Sequence, residues 1–397
     1  MKNEATIGFV REHRDEDVRT LALQARRDGD VDLPWALDQI QGWQTARRKL
    51  PSWAAIDGIV YPPHLSMEQC SSEQTAIYKC GILERLPQTC RETLIDLTGG
   101  FGVDFAFMAR CCSRAVYVEQ QEHLCETAKH NFDLLELQHV RIIHGDAEEV
   151  LSDLDTEPAR TLVYLDPARR DSNKARTYAI ADCTPNMLEL KERLLKAAHH
   201  ILIKLSPMLD WHKAVSDLGE HVAEVHIVSV GNECKELLML MDASHHGEPT
   251  IHCVNDDQCL IYSPLQDDGS PDIATDDEAA FLYEPNASIM KAGCFGLLTR
   301  HYPVKALATD SHLFVSHEEV QNFPGRSFAV TAVTTMNKKE VANALKGITR
   351  ANVAVRNFPM TAQQLRQRLH LQDGGEWYIF GTTTATGERR LYICQKI

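Results

Sequence analysis

The sequence predicts an α/β protein with an open parallel sheet at its centre, and three observations carry that prediction. Residues 94–104, Leu-Ile-Asp-Leu-Thr-Gly-Gly-Phe-Gly-Val-Asp, end an apolar run in an acid, turn through closely spaced glycines and enter helix-like sequence from about Asp104. Three further apolar runs also end in acids, Ala-Val-Tyr-Val-Glu119, Val-Arg-Ile-Ile-His-Gly-Asp146 and Leu-Val-Tyr-Leu-Asp166-Pro167, so acids recur at intervals of 20–27 residues. Helical periodicity lies between them, as in Gln121–Leu135, where Leu124, Ala128, Leu134 and Leu135 return about once per turn. Strand, helix, strand at this period is the signature of parallel strands joined by crossover helices.

The flanking segments follow in order. Residues 1–75 read as helical with turns: Asp15–Arg27 and Pro34–Leu50 carry helical periodicity, and Pro51, Pro62 and Pro63 interrupt it. Ser71-Ser-Glu-Gln74 has the spacing of a capping box, which predicts a helix starting there. Beyond the four acid-ended runs, a helix is expected over Pro185–Ala198 and strands over His200–Leu205, Ala223–Val230 and Glu236–Met241. Gly231-Asn-Glu-Cys234 would join the last two as an antiparallel hairpin. Residues 243–280, rich in Asp, Gly and Pro, read as an irregular or small-strand insertion. A Pro324-Gly325 turn then opens a β-α-β-α-β-β unit: strand 328–335, helix 337–347, strand 352–357, helix 361–370 and a hairpin through Gly387. The expected domains are therefore 1–75, 76–245, 246–320 and 321–397.

Ligands of open parallel sheets bind outside the carboxyl ends of the strands, where all four acids would stand. A glycine turn at such an edge admits close approach of backbone to ligand, because glycine has no Cβ. A dinucleotide is disfavoured. Gly100-Phe-Gly102-Val-Asp-Phe105 lacks the third glycine of that fingerprint, and Asp96 would repel a pyrophosphate. A cationic ligand with a ribose diol suits four acids better, as in S-adenosylmethionine with its sulfonium and ammonium groups.

On these residues, the region from about Gln69 to Asp242 resembles a class I S-adenosylmethionine-dependent methyltransferase. By position, Asp96, Gly99, Gly100 and Gly102 match the first motif, which in that family holds the amino-acid end of the cofactor. Thr98, where many members carry glycine, is a variant common among nucleic-acid methyltransferases. Glu119, with Gln120 beside it, matches the acid that binds the ribose hydroxyls, and Asp146-Ala147 the pair flanking the adenine. Asp166-Pro167-Ala168-Arg169 matches the fourth motif, where substrate meets methyl group. Core motifs are also similar to those of a bacterial small-subunit rRNA guanine-N2 methyltransferase.

The whole chain resembles a bacterial group with a methyltransferase core, a small ferredoxin-like segment and a THUMP-like C-terminal domain. Matching stretches are Leu50-Pro-Ser-Trp, Tyr61-Pro-Pro-His-Leu-Ser-Met-Glu-Gln-Cys-Ser-Ser-Glu, Lys204-Leu-Ser-Pro-Met-Leu-Asp, Asn232-Glu-Cys-Lys-Glu-Leu-Leu, Tyr283-Glu-Pro-Asn-Ala-Ser-Ile and Asn322-Phe-Pro-Gly-Arg. The resemblance implies a Rossmann-like, seven-stranded methyltransferase sheet with a helical N-terminal region and a small α+β C-terminal domain. S-adenosylmethionine is the implied cofactor.

Methyl transfer asks little of side chains, because the sulfonium is already activated and the enzyme mainly aligns the acceptor. Asp166 and the backbone at Pro167–Ala168 are the expected positioning groups, with Asp166 able to accept a hydrogen bond or a proton. Arg169 and Arg170 either clamp a substrate phosphate or carboxylate, or form salt bridges to Asp171 or Asp182. Ala168-Arg169 stands where adenine-N6 enzymes carry a stacking aromatic. Covalent methylation at carbon needs a cysteine; the fourth motif has none, and only Cys183 and Cys234 remain as outside candidates. Lys204 and Lys235 are candidate substrate-facing groups, while Asn232 and Glu233 fit the hairpin turn.

Composition narrows the partners. The chain has 397 residues, 44% of them hydrophobic, and a net charge of −15, enough length for two or three domains. Residues 321–397 hold eleven Lys/Arg against four Asp/Glu, whereas 246–320 hold three against thirteen. A basic end on an acidic protein points to a polyanion, so RNA is the expected partner of the C-terminal domain. Solvated faces at Arg366, Arg368, Arg389 and Arg390 are the bland alternative. Twelve cysteines without a C-x-x-C pair read as reduced thiols, and eighteen histidines without H-E-x-x-H give no expected metal site. Met1-Lys-Asn-Glu-Ala has no apolar leader, and no apolar run approaches the ~20 residues that span a bilayer, so a cytoplasmic location without membrane association is expected. An RNA methyltransferase (rRNA or tRNA base nitrogen) leads. A small-molecule or protein methyltransferase, and a non-catalytic cofactor-binding module, stay open.

Overall fold

Five parallel strands organise the first half of the chain: β1 (Thr93–Asp96), β2 (Arg114–Glu119), β3 (Val140–His144), β4 (Thr161–Leu165) and β5 (His200–Leu205). They stand side by side in the order β3-β2-β1-β4-β5. Every residue of β4 is buried, as expected of a strand covered on both faces, which is why it reads as a continuous apolar run. β6 (Val222–Val230) and β7 (Glu233–Asp242) follow, joined by Gly231 and Asn232, both at positive φ (58° and 63°). Leu237–Asp242 of β7 pairs antiparallel with β5. All seven strands of the expected sheet are present. This computed structural model describes residues 2–24, 29–169, 180–266, 269–275 and 279–397. It divides into two units, Met1–Ala223 with Leu237–Gly247, and Glu224–Glu236 with Glu248–Ile397.

In the first unit, helices α1 (Glu4–His13), α2 (Val18–Gln24) and α3 (Leu33–Lys49) precede the sheet. α1 was not legible as periodicity: only Thr6 is buried in it, and its start is fixed by Asn3, whose side chain accepts the Thr6 amide. α2 begins later than expected because Asp17 caps it through the Thr20 amide. Then comes α4 (Glu73–Arg85), capped by Ser72, not Ser71. The crossovers contain α5 (Val103–Ala109), α6 (Glu122–Leu134), α7 (Ala147–Asp153), α8 (Met187–Ala197) and α9 (Trp211–Leu218). Asp146, Asn186 and Asp210 cap α7, α8 and α9 by accepting amides of the first turn. The Cys80 and Cys111 sulfurs are brought together, in a chain whose cysteines are expected to be reduced thiols. Their spacing gives no hint of it, because the approach arises from the packing of α4 against α5.

In the second unit, β8 (Thr250–Asn255) runs parallel to β6 and β9 (Gln258–Tyr262) returns antiparallel to β8. These are ordered strands within the segment expected to be irregular or small-stranded. A second sheet contains β10 (Phe281–Pro285), β11 (Phe314–Ser316), β12 (Gly325–Thr334), β13 (Arg350–Arg356), β14 (Gln372–Thr383) and β15 (Arg389–Lys396). Its order is β11-β10-β12-β15-β14-β13, and only β13 and β14 pair in parallel among these. Helices α10 (Ala287–Ala292) and α11 (Phe295–His301) follow β10, and α12 (Lys338–Ala344) and α13 (Ala362–Arg368) flank β13. Leu282, Phe328, Phe380 and Tyr392 form its buried core. The elements from β12 onward match the expected β-α-β-α-β-β unit. Among the described residues, no helix is long and apolar enough to cross a membrane.

Candidate functional site

The strand register brings the acids to one edge. Asp96 stands level with Tyr117 and Tyr164 on its neighbours, and Glu119 with His144, so Asp96, Glu119, Asp146 and Asp166 all leave the sheet at its carboxyl end. Asp96 is almost fully buried and accepts the Thr98 amide at 2.9 Å and its hydroxyl at 3.3 Å. Burial raises its pKa to about 8 against the pull of the Thr98 hydrogen bond, with Asp104 and Asp166 adding to the rise. Thr98 also accepts the Asp166 amide at 2.7 Å. The residue that departs from the family glycine thus ties the exits of β1 and β4 together.

The glycine turn is shaped by aromatic packing beneath it. A Cβ on Gly99 would stand 2.2 Å from the Tyr117 ring, and one on Gly102, at φ 83°, 2.8 Å from Phe132. Phe105, in place of a third glycine, is fully buried against Tyr117 and Phe132 at ring distances of 5.4 and 5.2 Å. Phe101 leaves the turn on the other side and meets Trp53 edge-on at 5.1 Å and Tyr61 at 6.4 Å. The motif stretches around Trp53 and Tyr61 therefore brace the loop. Tyr61 is itself fixed by buried Gln39, which accepts its amide and donates to its carbonyl, and Asn131 of α6 does the same for Val60.

Glu119 is buried and held by backbone. Its Oε2 accepts the Gly100 amide at 2.9 Å and its Oε1 the Gln121 amide at 2.8 Å, so the carboxylate is oriented before any ligand arrives. Asp146 spends Oδ1 on the α7 cap, accepting the Glu148 amide at 2.8 Å, and Ala147 is buried beside it. Gln120 is exposed, its carbonyl 3.0 Å from His144 Nε2.

Around Asp166 lies a network that the sequence did not reveal. Lys204 Nζ donates to Asp166 Oδ2 at 2.5 Å and lies 3.6 Å from Asp104 Oδ2. Asp104 in turn accepts the Tyr164 hydroxyl at 2.7 Å and the Ser71 hydroxyl at 2.8 Å, and pairs with the fully buried Lys79 at 3.1 Å. Burial opposes ionisation of Asp104, but Lys79, Lys204 and these hydroxyls outweigh it and hold the acid below the usual carboxylate range. The sequence points to Lys204 but not to Asp104, Lys79, Ser71 or Tyr164, and only the Ser71-Ser72 doublet hints at a second role for one serine. Pro167 leads into Ala168–Arg169, which pair with Cys183–Thr184 as a two-stranded ribbon. The Arg169 side chain, Arg170 and Asp171 lie outside the described residues.

Two family models match the second unit: a ferredoxin-like domain over residues 281–324 and a THUMP domain-like model over 325–396. The chain aligns over 99% of its length, and 97% of the other's, with the crystal structure of a candidate methyltransferase from Porphyromonas gingivalis W83, at TM-score 0.85 and 31% identity. The chain belongs to this methyltransferase family. An uncharacterised RNA methyltransferase of Caldanaerobacter subterraneus is 26% identical over 155 residues, 36% of this chain. That match spans only about a third of the relative's own length.

Several further motif residues of this methyltransferase make contacts that hold the fold. Glu284, buried, receives Arg326 and, at 2.7 Å, Arg356. Gly325 admits no side chain, since a Cβ would stand 2.2 Å from the Glu284 carbonyl oxygen. Asn286 caps α10 through the Ile289 amide, and Asn232 accepts the Ala287 amide. Burial pushes the Cys234 thiol above its usual range, which disfavours it as a nucleophile. Of the basic C-terminal residues, Arg366 pairs with Asp373 and Arg390 with Glu388 at 2.5 Å. Lys338, Lys339, Lys346, Arg368 and Arg389 are exposed.

Proposed function

We propose that this methyltransferase uses S-adenosylmethionine and acts on RNA, at a base nitrogen. The observation behind the cofactor is the row of acids at the carboxyl edge of the parallel strands, with Glu119 oriented by the Gly100 and Gln121 amides. These residues fit a cation bearing a ribose. Asp96, Thr98, Gly99, Gly100 and Gly102 would take the amino-acid end, Glu119 and Gln120 the ribose hydroxyls, and Asp146 and Ala147 the adenine. The bound cofactor supplies an activated methyl group; the chain's own part is alignment. Asp166, partly exposed and anchored at Oδ2 by Lys204, would accept a hydrogen bond from the acceptor amine and take its proton. Pro167 fixes the backbone there, and Arg169 and Arg170 would hold a phosphate.

For the acceptor, support comes from the exposed basic residues of the C-terminal domain, the THUMP-like match and the similarity to the Caldanaerobacter RNA methyltransferase. The proposed organisation is a helical region over 1–75, the cofactor-binding domain over 76–245, an insertion with the ferredoxin-like segment over 246–320 and the docking domain over 321–397. Truncation before Pro324 is a poor test, since β10 would lose its partner β12. Replacing Lys338, Lys339, Lys346, Arg368 and Arg389 by Gln preserves the sheet. That variant should keep cofactor affinity, bind RNA more weakly, and show a shallower salt dependence, by about 0.7 in log–log slope for each phosphate it no longer neutralises. RNA affinity and slope equal to wild type would remove the docking role. Comparing modified nucleosides in RNA from a deletion strain and its parent identifies the base.

A further inference from the structure

β6 and β8 run in parallel with His226 directly opposite His252. Glu224 lies two residues before His226 and so shares its face of the strand. The two imidazoles stack, with ring centroids 4.3 Å apart and planes 27° from parallel. Both point Nε2 at one carboxylate oxygen: Glu224 Oε2 is 2.8 Å from His226 and 3.5 Å from His252. His226 is fully buried and His252 nearly so, while the Glu224 side chain is 27% exposed. The cluster brings two imidazole nitrogens and a carboxylate oxygen to one point.

We propose that Glu224, His226 and His252 form a binding site for a divalent transition-metal ion of the zinc class. Zinc binds imidazole nitrogen and carboxylate oxygen at about 2.0–2.2 Å, which places tetrahedral ligand atoms about 3.3 Å apart. The observed separations of 2.8 and 3.5 Å bracket that value, and all three donor atoms lie within 4.8 Å of one another. Backbone pairing fixes two of the three ligands, so little ordering is left for the ion to impose. The partly exposed Glu224 side chain provides entry. A second grouping, His199, His200 and Asp242, has Asp242 Oδ1 accepting the Ser244 amide and hydroxyl at 2.7 and 2.6 Å. It serves as the internal control. The proposal is independent of the methyl-transfer reading.

The test uses full-length protein without a polyhistidine tag, stripped with chelator and titrated with Zn²⁺ by calorimetry, and with Co²⁺ by visible absorption. Wild type should bind one equivalent through these three residues and give the absorption of four-coordinate cobalt. Glu224→Gln and His252→Gln should each weaken Zn²⁺ binding by about 100-fold or more, in line with the sensitivity of metal sites to their surrounding groups, while His199→Gln leaves it unchanged. Should His252→Gln fail to fold by circular dichroism, Glu224→Gln, at a partly exposed position, decides alone. Absence of Zn²⁺ binding, affinity unaffected by Glu224→Gln, or loss with His199→Gln instead would each overturn the assignment.

Discussion

Two buried carboxylates flank the glycine turn, and their surroundings are opposite. Asp104, in the first turn of α5, is met by Lys79, Lys204, Tyr164 and Ser71 and is held ionised. Asp96, at the end of β1, has among the described residues only the amide and hydroxyl of Thr98, and burial raises it to about 8. A buried acid with its cations built in holds the fold. One buried without them is costly to ionise unless a cation arrives from outside. The contrast separates an acid that braces the site from one suited to receive a charged ligand, although both read alike as acids beside glycines.

The largest effect expected from this contrast is on stability. Asp104→Ala removes the carboxylate paired with buried Lys79 and should cost about 3–5 kcal/mol in urea unfolding. A loss below about 1 kcal/mol would mean that the network does not brace the unit. Next is catalysis at Asp166, whose tie to Lys204 links it to the same network. Asp166→Asn should lower kcat about 100-fold with little change in cofactor affinity, if the carboxylate takes the proton. Single-turnover rates measure this, and a fully active variant would defeat the role.

Asp96→Asn sharpens the comparison from the other side. It should lower affinity for S-adenosylmethionine by about 2 kcal/mol, as for a lost charge-assisted hydrogen bond, without destabilising the ligand-free protein. The pH dependence supplies the sign. A carboxyl raised to about 8 binds more protons folded than unfolded between about pH 4 and 8, so its contribution to stability falls as pH rises through that window. Asp104, lowered, contributes stability above the usual carboxylate pKa and loses it in acid. Melting temperatures of wild type and Asp96→Asn should therefore diverge in favour of the variant as pH approaches 8. Parallel curves would show that Asp96 is not held protonated.

The legible part of the molecule was the part encoded by local pattern. Apolar runs ending in Asp96, Glu119, Asp146 and Asp166 located strands and site edge together, because a strand end and a ligand edge coincide in parallel sheets. The C-terminal unit was legible for the same reason, its strands and helices being separated by clear turns. Partnerships across the fold were not. Nothing near Asp104 announces Lys79 or Lys204, since the three meet only when α4, α5 and β5 pack. Ser71 and Ser72 look equivalent, and only the structure shows that one caps α4 and the other binds Asp104. His226 and His252 likewise meet through strand register, which ligand-spacing rules cannot anticipate.

The central claim is that the strand-end acids receive a cationic, ribose-bearing cofactor, and Glu119 tests it most directly. Both its oxygens are oriented by backbone amides, so a melting curve of the variant is taken beside its affinity to separate lost recognition from a loosened turn. Calorimetry with S-adenosylmethionine should show binding by the wild-type protein and a loss of about 2–3 kcal/mol in Glu119→Ala, the worth of a charge-assisted pair of hydrogen bonds. Affinity unchanged in Glu119→Ala, or no binding by the wild-type protein, would contradict the account.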